Sequence, residues 1–327
     1  MKAVTLKDQD DPSSLVVGEV DAPTLRPGEA LIKVRASGVN RADLAQARGN
    51  YPPPPGASEI LGLEASGTVA DPGDTGLKPG AEVACLLAGG GYGEYVAAPK
   101  GQIAPVPEPL SLVEAGSVME VACTVWSNLG MVAGIKSGQR VLIHGGAGGI
   151  GSMAIQVAKA TGCEVATTAG SKRKLDHCAS LGADILINYR EEDFAEVLGR
   201  SVDVILDVVG GEYLERNLKV LNNDGQLVVM GLQGGRKAEI NLGAMMPRRQ
   251  SLHARTIRAR GLKDKARIVA STVEHVWPWL AEGKIRHHVD RVFPLENAAD
   301  AHAALLDGSL VGKAVLDHEA AGAGDRG

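Results

Sequence analysis

The chain has 327 residues, of which 44% are hydrophobic and 22% are charged, and its formal net charge is −5. A chain of this length exceeds the usual size of a single domain, so we expect two domains. The acidic balance gives no electrostatic basis for binding a polyanion, which argues against nucleic acid as a partner.

Targeting signals and cysteine motifs are not evident. The N-terminal stretch MKAVTLKDQDDPSSL carries acids where a signal peptide has its apolar core. No apolar run reaches the length of about 18 residues that spans a bilayer. No two cysteines have the C-x-x-C spacing of a zinc ribbon or a redox dithiol; they are Cys85, Cys123, Cys163 and Cys178. We therefore predict a soluble, cytoplasmic protein with no membrane partner.

Short apolar stretches punctuated by Pro, Gly and Asp fill the first 110 residues or so. They predict strands at 30–36, 67–70, 81–87 and 93–97, as in a small β-barrel or sandwich. The stretch YPPPPG at 51–56 can form neither a helix interior nor a central strand, so we expect a stiff surface loop there.

After residue 112 the pattern changes to strands that alternate with helices. Apolar strands are predicted at 140–144, 164–168, 185–187, 202–208 and 227–230, and a helix at 121–132 precedes them. Parallel strands need crossover helices, so the alternation predicts a doubly wound parallel sheet. The predicted fold class is therefore α/β, with a β-rich domain followed by a Rossmann-type domain.

A glycine-rich motif lies between the first of these strands and the helix after it. In VLIHGGAGGIG, Gly146, Gly148 and Gly151 match G-x-G-x-x-G. The glycines allow a tight turn, a close approach of the backbone to a pyrophosphate, and close packing of helix on strand. Free N–H groups at the helix start then meet a negative phosphate. With the βαβ pattern around it, the motif predicts a dinucleotide site rather than a merely structural turn.

The residues after the next strand indicate which dinucleotide is bound. An NAD site usually has Asp or Glu about 20 residues after the motif, to bind the ribose 2′-hydroxyl. Here the strand EVATT runs into Ser171, Lys172, Arg173 and Lys174 without an acid. A hydroxyl and three cations suit a 2′-phosphate, although a basic first turn on an exposed helix is the alternative. Because cations are disfavoured at a helix N-terminus, the pattern favours NADPH over NADH.

Several longer stretches resemble one known family. They are SGVNRADLAQARGNYPPPPGASEILGLEASG, VLIHGGAGGIG, TTAGSKRKL, INYREEDF and VGKAVL, and the resemblance covers residues 1–317. The chain resembles a zinc-independent medium-chain dehydrogenase/reductase of the quinone oxidoreductase (zeta-crystallin-like) type. Within that type it is most similar to the p53-inducible quinone oxidoreductase subfamily.

The resemblance implies an architecture and an assembly. A GroES-like catalytic domain would occupy residues 1–119, and a Rossmann NADPH-binding domain residues 120–262. Residues 263–318 would return to the catalytic domain, and residues 319–327 would form a disordered tail. The family also implies an active site in the cleft between the domains and a homodimer.

The resemblance also bears on zinc. Zinc-dependent relatives carry a Cys ligand where this chain has Asn40 and a His ligand where it has Leu63, although Glu64 is kept. Their third ligand lies near Glu120. We therefore expect no metal, and no Lewis acid to polarise an alcohol or a carbonyl. The acceptor would then be easily reduced, such as a quinone or an activated alkene.

The resemblance assigns candidate cofactor-binding residues. Most lie in the nucleotide-binding domain: Gly146, Gly148, Gly149, Ile150 and Gly151 in the pyrophosphate loop, Ser171 and Lys174 at the 2′-phosphate, Tyr189 at the adenosine phosphate, and Met230, Gly231, Leu232 and Gly234 beside the nicotinamide. Thr124 would contact the nicotinamide ribose, and the backbone of Leu310 would contact the cofactor. The alternatives are a core aromatic for Tyr189 and, for Thr124, a hydroxyl bonded to its own helix.

Two residues are candidates for the catalytic, substrate-facing side. Asn40 would hydrogen-bond the substrate oxygen, or else serve as a turn or cap residue. Tyr51 would stack on a flat substrate ring or on the nicotinamide, or else be a surface aromatic braced by prolines. No residue stands out as a general acid, and solvent would protonate the product.

Other polar residues are interpreted as structural. His144 is expected to be a structural residue at a strand end, and His287 with His288 to form a solvated basic turn. The arginines between 248 and 260 would form a mixed surface, a phosphate contact or a subunit contact; they are Arg248, Arg249, Arg255, Arg258 and Arg260.

These observations predict an oxidoreductase that transfers hydride from NADPH to a quinone-like acceptor without zinc. A 2-alkenal or enoyl reductase on the same fold is the alternative. A non-enzymatic NADPH-binding or RNA-binding role is a further alternative, which the acidic composition disfavours.

Overall fold

The computed structural model describes residues 1–8 and 11–320, so the predicted tail lies, from residue 321 onward, outside the described residues. The strands are β1 (Lys2–Leu6), β2 (Leu15–Glu19), β3 (Glu29–Gly38), β4 (Glu64–Asp71), β5 (Glu82–Leu86), β6 (Tyr95–Pro99), β7 (Ile103–Pro105), β8 (Arg140–His144), β9 (Glu164–Ala169), β10 (Ile185–Asn188), β11 (Val202–Asp207), β12 (Leu221–Val229), β13 (Ser251–Ala254), β14 (Val289–Pro294) and β15 (Lys313–Asp317).

The α-helices are α1 (Arg41–Ala47), α2 (Leu112–Ala115), α3 (Met119–Val125), α4 (Gly149–Ala160), α5 (Lys172–Ser180), α6 (Phe194–Leu198), α7 (Leu214–Val220), α8 (Leu242–Met245), α9 (Leu262–Ala281) and α10 (Ala298–Leu306). Short 3-10 helices occupy Lys100–Gln102, Gly211–Tyr213, Met246–Arg248 and Leu295–Asn297, and a π-helix occupies Trp126–Val132. Among the helices of the described residues, none combines the length and the apolar character that a membrane crossing requires.

The chain divides into two compact units. Unit 1 comprises Met1–Cys123, Ile257–Glu282 and the described residues from His287 onward; unit 2 comprises Thr124–Thr256 with Gly283–Arg286. These limits lie a few residues from the predicted domain boundaries at 120 and 263.

Unit 1 is built on a seven-stranded sheet. Its order is β14-β15-β3-β4-β5-β7, with β6 also paired to β3, and within this sheet β14 and β15 run parallel while the other pairs are antiparallel. Buried residues recur at every second position in the first half of β3, so one face of the strand packs on the core. β15 pairs with β3, with Leu316 opposite Ser37. The end of the chain therefore completes the sheet that its beginning forms.

Unit 2 contains a six-stranded sheet in which every pairing is parallel. Its order is β10-β9-β8-β11-β12-β13, so the strands that follow β8 extend first to one side of it and then to the other. Such a reversal marks the switch point beside which α/β sheets bind ligands, beyond the carboxyl ends of the strands. The predicted α/β class with a doubly wound parallel sheet is confirmed.

The structure adds several elements that the sequence pattern did not indicate: the helices α1, α8 and α9, and the strands β1, β2, β7, β13 and β14. The inner face of α9 includes the polar residues Lys265 and Thr272, which weakens the apolar periodicity of the helix. α9 packs in unit 1, where the Trp277 indole N–H donates to the Pro105 carbonyl at 3.0 Å. The helix predicted at 121–132 is α-helical only to Val125 and continues as the π-helix, a rare form that is frequent at functional sites.

Five histidines are held in an environment that disfavours their charge; burial lowers the pKa of His253, and four others have larger shifts. Burial lowers the pKa of His144, His302 and His318 to about 4 and that of His287 to about 3. The predicted solvated turn is wrong for His287, because its Nε2 lies 2.8 Å from Ser117 Oγ and its ring is partly buried.

We expect the folded chain to lose stability between pH 7 and pH 5. In the unfolded chain these four histidines become protonated below about pH 6.5, whereas in the folded chain they stay neutral down to about pH 4 or below. Each of them therefore lowers the free energy of unfolding by on the order of 1–2 kcal/mol at pH 5. Asp43 and Asp207 act in the opposite sense, because burial raises the pKa of each to about 6, but they are fewer. Thermal unfolding followed across this range measures the effect, and His302→Gln should make the decline shallower. A melting temperature that is equal or higher at pH 5 would contradict this expectation.

Candidate functional site

Four loops of unit 2 follow the carboxyl ends of neighbouring parallel strands. Gly145 follows β8, Gly170 follows β9, Tyr189 follows β10 and Met230 follows β12. Because all the strands run in one direction, these loops share one edge of the sheet. The structure thus brings the predicted pyrophosphate, 2′-phosphate, adenosine and nicotinamide residues of unit 2 to a common edge.

The glycines of the motif differ in why the fold needs them. A Cβ at Gly146 would collide with Thr167 Oγ1, and a Cβ at Gly151 would collide with the Gly145 carbonyl. Both glycines are therefore explained by packing within the protein. A Cβ at Gly148 would meet only the Gly145 carbonyl oxygen, at an ordinary 3.6 Å, and Gly148 has an ordinary φ of −78° and is exposed. Nothing in the packing requires glycine at 148, so the open space above it is suited to a ligand.

The start of α4 provides the chemistry for that space. Gly148 is the N-cap of this 12-residue helix, and Gly149 and Ile150 are its first residues. The first N–H groups of a helix have no acceptor within the helix and carry the positive end of its dipole. An anion such as a diphosphate is the ligand that this geometry favours.

The loop after β9 carries the hydroxyl and cations singled out in the sequence. Ser171 is the N-cap of α5 in an extended conformation, and its hydroxyl makes no capping hydrogen bond. Lys172 is exposed and forms an ion pair with Asp176 one turn later, at 2.8 Å. That ion pair accounts for Lys172 within the helix itself. Lys174, two residues further on, is only partly exposed.

Tyr189 lies against the same loop. A Cβ at Gly170 would lie 2.5 Å from the Tyr189 hydroxyl, so glycine at 170 lets the tyrosine pack over the end of β9. The side chain is 45% exposed, so Tyr189 is not a core aromatic residue. Its position beside Ser171 is consistent with a wall for an adenosine group.

The segment Met230–Gly234 is held by the loop that follows β11. The Met230 N–H donates to the Asp207 carbonyl at 2.9 Å, and the Gly234 N–H donates to the Val209 carbonyl at 2.7 Å. Leu232 is 51% exposed between these anchors. The backbone of the segment is therefore fixed while Leu232 remains available for contact.

Buried polar side chains support these loops from beneath. The Asp207 carboxylate accepts the N–H groups of Val209 (2.6 Å) and Gly210 (3.1 Å) and the Asn217 amide (3.1 Å), while burial raises the pKa of Asp207. Asn217 Oδ1 lies 2.8 Å from His144 Nε2. The other ring nitrogen of His144 lies 3.1 Å from Thr168 Oγ1 at the end of β9. His144 is thus a structural link between strand ends, as interpreted from the sequence.

Thr124 begins unit 2 just before the π-helix. It is buried, and its carbonyl accepts hydrogen bonds from Ser127 Oγ at 3.1 Å and Asn128 Nδ2 at 2.8 Å. These bonds to the first turn of the π-helix fix the backbone around Thr124.

In unit 1, Asn40 belongs to a buried polar cluster. Its Nδ2 donates to Glu64 Oε1 at 2.9 Å, and its Oδ1 accepts from Lys313 Nζ at 2.6 Å. Lys313 also donates to Glu64 Oε1 at 2.9 Å and to the Val39 carbonyl at 3.0 Å. The ammonium of Lys313 and the carboxylate of Glu64 are both almost fully buried. Lys313 was not among the predicted site residues; its signal in the sequence is a lysine inside the apolar strand of VGKAVL.

A second buried network lies beside Asn40. The Asp43 carboxylate accepts the Asn40 N–H at 2.8 Å and the Gly62 N–H at 3.1 Å, and the Tyr92 hydroxyl lies 3.3 Å from it. The same hydroxyl lies 3.2 Å from His302 Nε2 on α10. Asn40 is the N-cap residue of α1, so the cap role considered from the sequence is present.

Tyr51 and Leu310 also lie in unit 1. Tyr51 opens the proline loop, is partly exposed and lies beneath the Arg258 guanidinium, whose Cζ is 5.1 Å from the ring centroid. Arg258 is 2% exposed, so the mixed-surface alternative is wrong for this arginine. Leu310 is buried in the cluster formed by α1, α10 and β15, where a backbone contact is the role open to it.

Two family profiles match the chain. One is described as "Alcohol dehydrogenase GroES-like domain", over residues 26–108, and the other as "Zinc-binding dehydrogenase", over residues 181–316. The quinone oxidoreductase of Mus musculus is 29% identical over 328 residues, with 97% of each chain covered. The Escherichia coli quinone oxidoreductase complexed with NADPH has a TM-score of 0.86 at 28% identity and covers 97% of this chain and 100% of its own. The chain belongs to the medium-chain dehydrogenase/reductase family.

Within this family the chain is similar to quinone oxidoreductases, and it has the GroES-like and Rossmann architecture predicted from its sequence. The structure of CurK enoyl reductase is also similar, with a TM-score of 0.84 at 26% identity over 97% of this chain and 98% of its own. A polyketide synthase subunit of Mycobacterium tuberculosis is 29% identical over 310 residues, but the chain spans only 14% of its length.

The residues present do not fit the zinc named in the second profile's description. At the ligand positions, Asn40 offers an amide already bound at both ends, and Leu63 is a buried apolar residue. Glu64 is bound to the Lys313 ammonium, a cation that a metal would have to displace. In the part of the chain that the structure describes, no group of three or more His, Cys, Asp or Glu side chains could hold a metal ion.

We expect Lys313→Met to destabilise this medium-chain reductase by about 3–5 kcal/mol, because it leaves the Glu64 carboxylate buried without its cation. Lys159→Met is the matched control. Its ion pair with Asp184 has a similar N–O distance of 2.8 Å but is about one-third exposed, so its loss should cost no more than about 1 kcal/mol. Urea unfolding of both variants measures the difference. Equal losses would show that burial of the Lys313 pair does not matter.

Proposed function

We propose that this chain is an NADPH-dependent quinone oxidoreductase that transfers hydride to a quinone-like acceptor without zinc. The observation that carries the proposal is the open space above Gly148 at the start of α4. On the same edge of the sheet, the turn after β9 has Ser171 and no acidic residue. The likeness to quinone oxidoreductases, one of them complexed with NADPH, supports it. The p53-inducible subfamily stays a prediction from the sequence.

The residues that would hold NADPH divide by the part of the cofactor that they meet. Gly148, Gly149 and Ile150 would bind the pyrophosphate through backbone N–H groups, while Gly146 and Gly151 shape the loop.

Other residues would fix the two ends of the cofactor. Ser171 and Lys174 would bind the 2′-phosphate, and Tyr189 would cover the adenosine. Met230–Gly234, with Thr124 and the backbone of Leu310, would border the nicotinamide. When bound, NADPH supplies the hydride.

The acceptor side follows from the donor groups in unit 1. Lys313 binds both Glu64 and Asn40, so these residues do not fit a metal that would act as a Lewis acid. This supports an acceptor that takes up hydride readily. We propose that Asn40 and Tyr51 face this acceptor, with solvent as the proton source. The contacts of Asn40 hold its amide in one orientation, and Tyr51 offers a flat face.

An enoyl or 2-alkenal reductase is the second candidate function. The similarity to CurK enoyl reductase and the match to a polyketide synthase subunit support it. Both reactions use the same cofactor site and differ only in the acceptor.

We also propose a homodimer and a cytoplasmic location. β13 is the last strand in its sheet, and exposed apolar residues lie in or just before it: Leu242, Met246 and Leu252. A second copy of the chain, related by two-fold symmetry, would cover such an edge. Light scattering of the purified chain tests this.

Lys174→Ala should raise the KM for NADPH at least about tenfold, because one charge-assisted hydrogen bond to the 2′-phosphate is lost. The KM for NADH should stay within about twofold, since NADH lacks that phosphate. Lys172→Ala is the matched control and should leave both KM values unchanged. Gly148→Ala should raise the KM for both NADPH and NADH. Steady-state kinetics with each nucleotide measures these effects. Equal changes for NADPH and NADH in the Lys174 variant would defeat the proposal.

Turnover of 9,10-phenanthrenequinone with NADPH should exceed that of 2-hexenal, measured side by side as kcat/KM. The physical reason is that a quinone accepts hydride without a Lewis acid or a strong proton donor. Rapid reduction of 2-hexenal with no turnover of the quinone would establish the alkenal reductase instead.

A further inference from the structure

Arg258 differs from the arginines around it in the sequence. It lies in the segment that returns the chain to unit 1, and it is 2% exposed, whereas Arg248, Arg249 and Arg255 are on the surface or only partly buried. A charged side chain is rarely buried to this extent unless its donors are satisfied. The contacts of Arg258 therefore indicate what it is for.

Three hydrogen bonds join Arg258 to three different segments of unit 1. Its Nε donates to the Ala88 carbonyl at 2.9 Å, one terminal nitrogen donates to the Tyr51 carbonyl at 2.9 Å, and the other donates to Gln46 Oε1 at 2.5 Å. Gln46 Nε2 in turn donates to the Glu59 carbonyl at 2.8 Å. Arg258 and Gln46 together therefore tie both ends of the proline loop, residues 51–59, to α1.

The same guanidinium also contacts the ring of Tyr51. Its Cζ lies 5.1 Å from the ring centroid, which is within the range of a cation–π contact. All three hydrogen-bond acceptors are neutral oxygens, so these bonds leave the positive charge of the Arg258 guanidinium beside the Tyr51 ring. Since Arg258 binds both the backbone and the ring of Tyr51, it fixes where the residue lies and how its ring is turned.

We propose that Arg258 is a positioning residue that holds the Tyr51 ring as a wall for flat, aromatic acceptors. The inference rests on the proposed function, in which Tyr51 faces the acceptor. A fixed ring gains most with a ligand that has an extended flat face, because offset stacking grows with the overlapping area. A short alkenal has no such face and gains little from the same wall.

A double-mutant cycle between Arg258 and Tyr51 tests this directly. Arg258→Met removes the cation and its donors, Arg258→Lys keeps the charge but loses the planar fork, and Tyr51→Ala removes the ring. Arg260→Lys is the matched control, since Arg260 is in the same segment and pairs with Asp264 at 2.5 Å. The acceptors are 9,10-phenanthrenequinone and 2-hexenal, and the melting temperature of each variant is recorded.

Arg258→Met and Arg258→Lys should each raise the KM for the quinone about tenfold or more, as displacement of a positioned group does. The KM values for NADPH and 2-hexenal should stay within about twofold, and in the Tyr51→Ala background Arg258→Met should add less than about twofold. A general loss of folding would instead lower the melting temperature and reduce kcat for both acceptors, without a selective rise in the KM for the quinone. Equal effects of Arg258→Met in both backgrounds, or parallel rises for all three ligands, would overturn the proposal.

Equilibrium dialysis of 9,10-phenanthrenequinone separates this inference from the proposed function. If the unmodified enzyme binds the quinone but does not reduce it, the proposed function fails. The double-mutant cycle between Arg258 and Tyr51 can then still be evaluated from the Kd values of the variants for the quinone. If Kd is the same for the unmodified enzyme, Arg258→Met and Tyr51→Ala, the positioning role fails whatever the turnover.

Discussion

The ion pair between Lys313 and Glu64 joins segments that are about 250 residues apart in the chain. Lys313 opens the last strand and Glu64 opens β4, and both contact Asn40 at the start of α1. Buried charges are tolerated only when each finds its partner, so the last strand must enter the sheet in one register. The same pair also determines the local chemistry, because the buried Glu64 carboxylate already has the Lys313 ammonium as its cation.

Unit 2 depends on a different constraint, the common direction of its six strands. Parallel strands bring the ends of β8, β9, β10 and β12 to one edge, and buried polar side chains such as Asp207 and His144 hold the loops there. The glycines of the motif then serve two purposes. Gly146 and Gly151 are needed for packing, whereas Gly148 leaves open space at the start of α4, where we propose that the pyrophosphate binds.

Family membership alone leaves the acceptor open, because quinone oxidoreductases and an enoyl reductase share this architecture at similar identity. Specific side chains have to decide between them. Arg258 binds both the carbonyl and the ring of Tyr51, and the role that we propose for this contact concerns the shape of the acceptor. The buried pair of Lys313 and Glu64 bears on the acceptor through the absence of a Lewis-acid position among these residues.

The sequence by itself determined the local features. Strand and helix alternation, the glycine motif, the basic turn after β9 and the stiff proline loop all depend on residues near one another in the chain, where periodicity and turn chemistry act. Tertiary structure alone decided the rest. The partners of Lys313 and Arg258 are carbonyl and carboxylate oxygens of segments far away in the chain, and His287, expected to be solvated, is bound by Ser117. The physical reason is that burying a charge or a ring depends on partners supplied by remote segments, which no local pattern records.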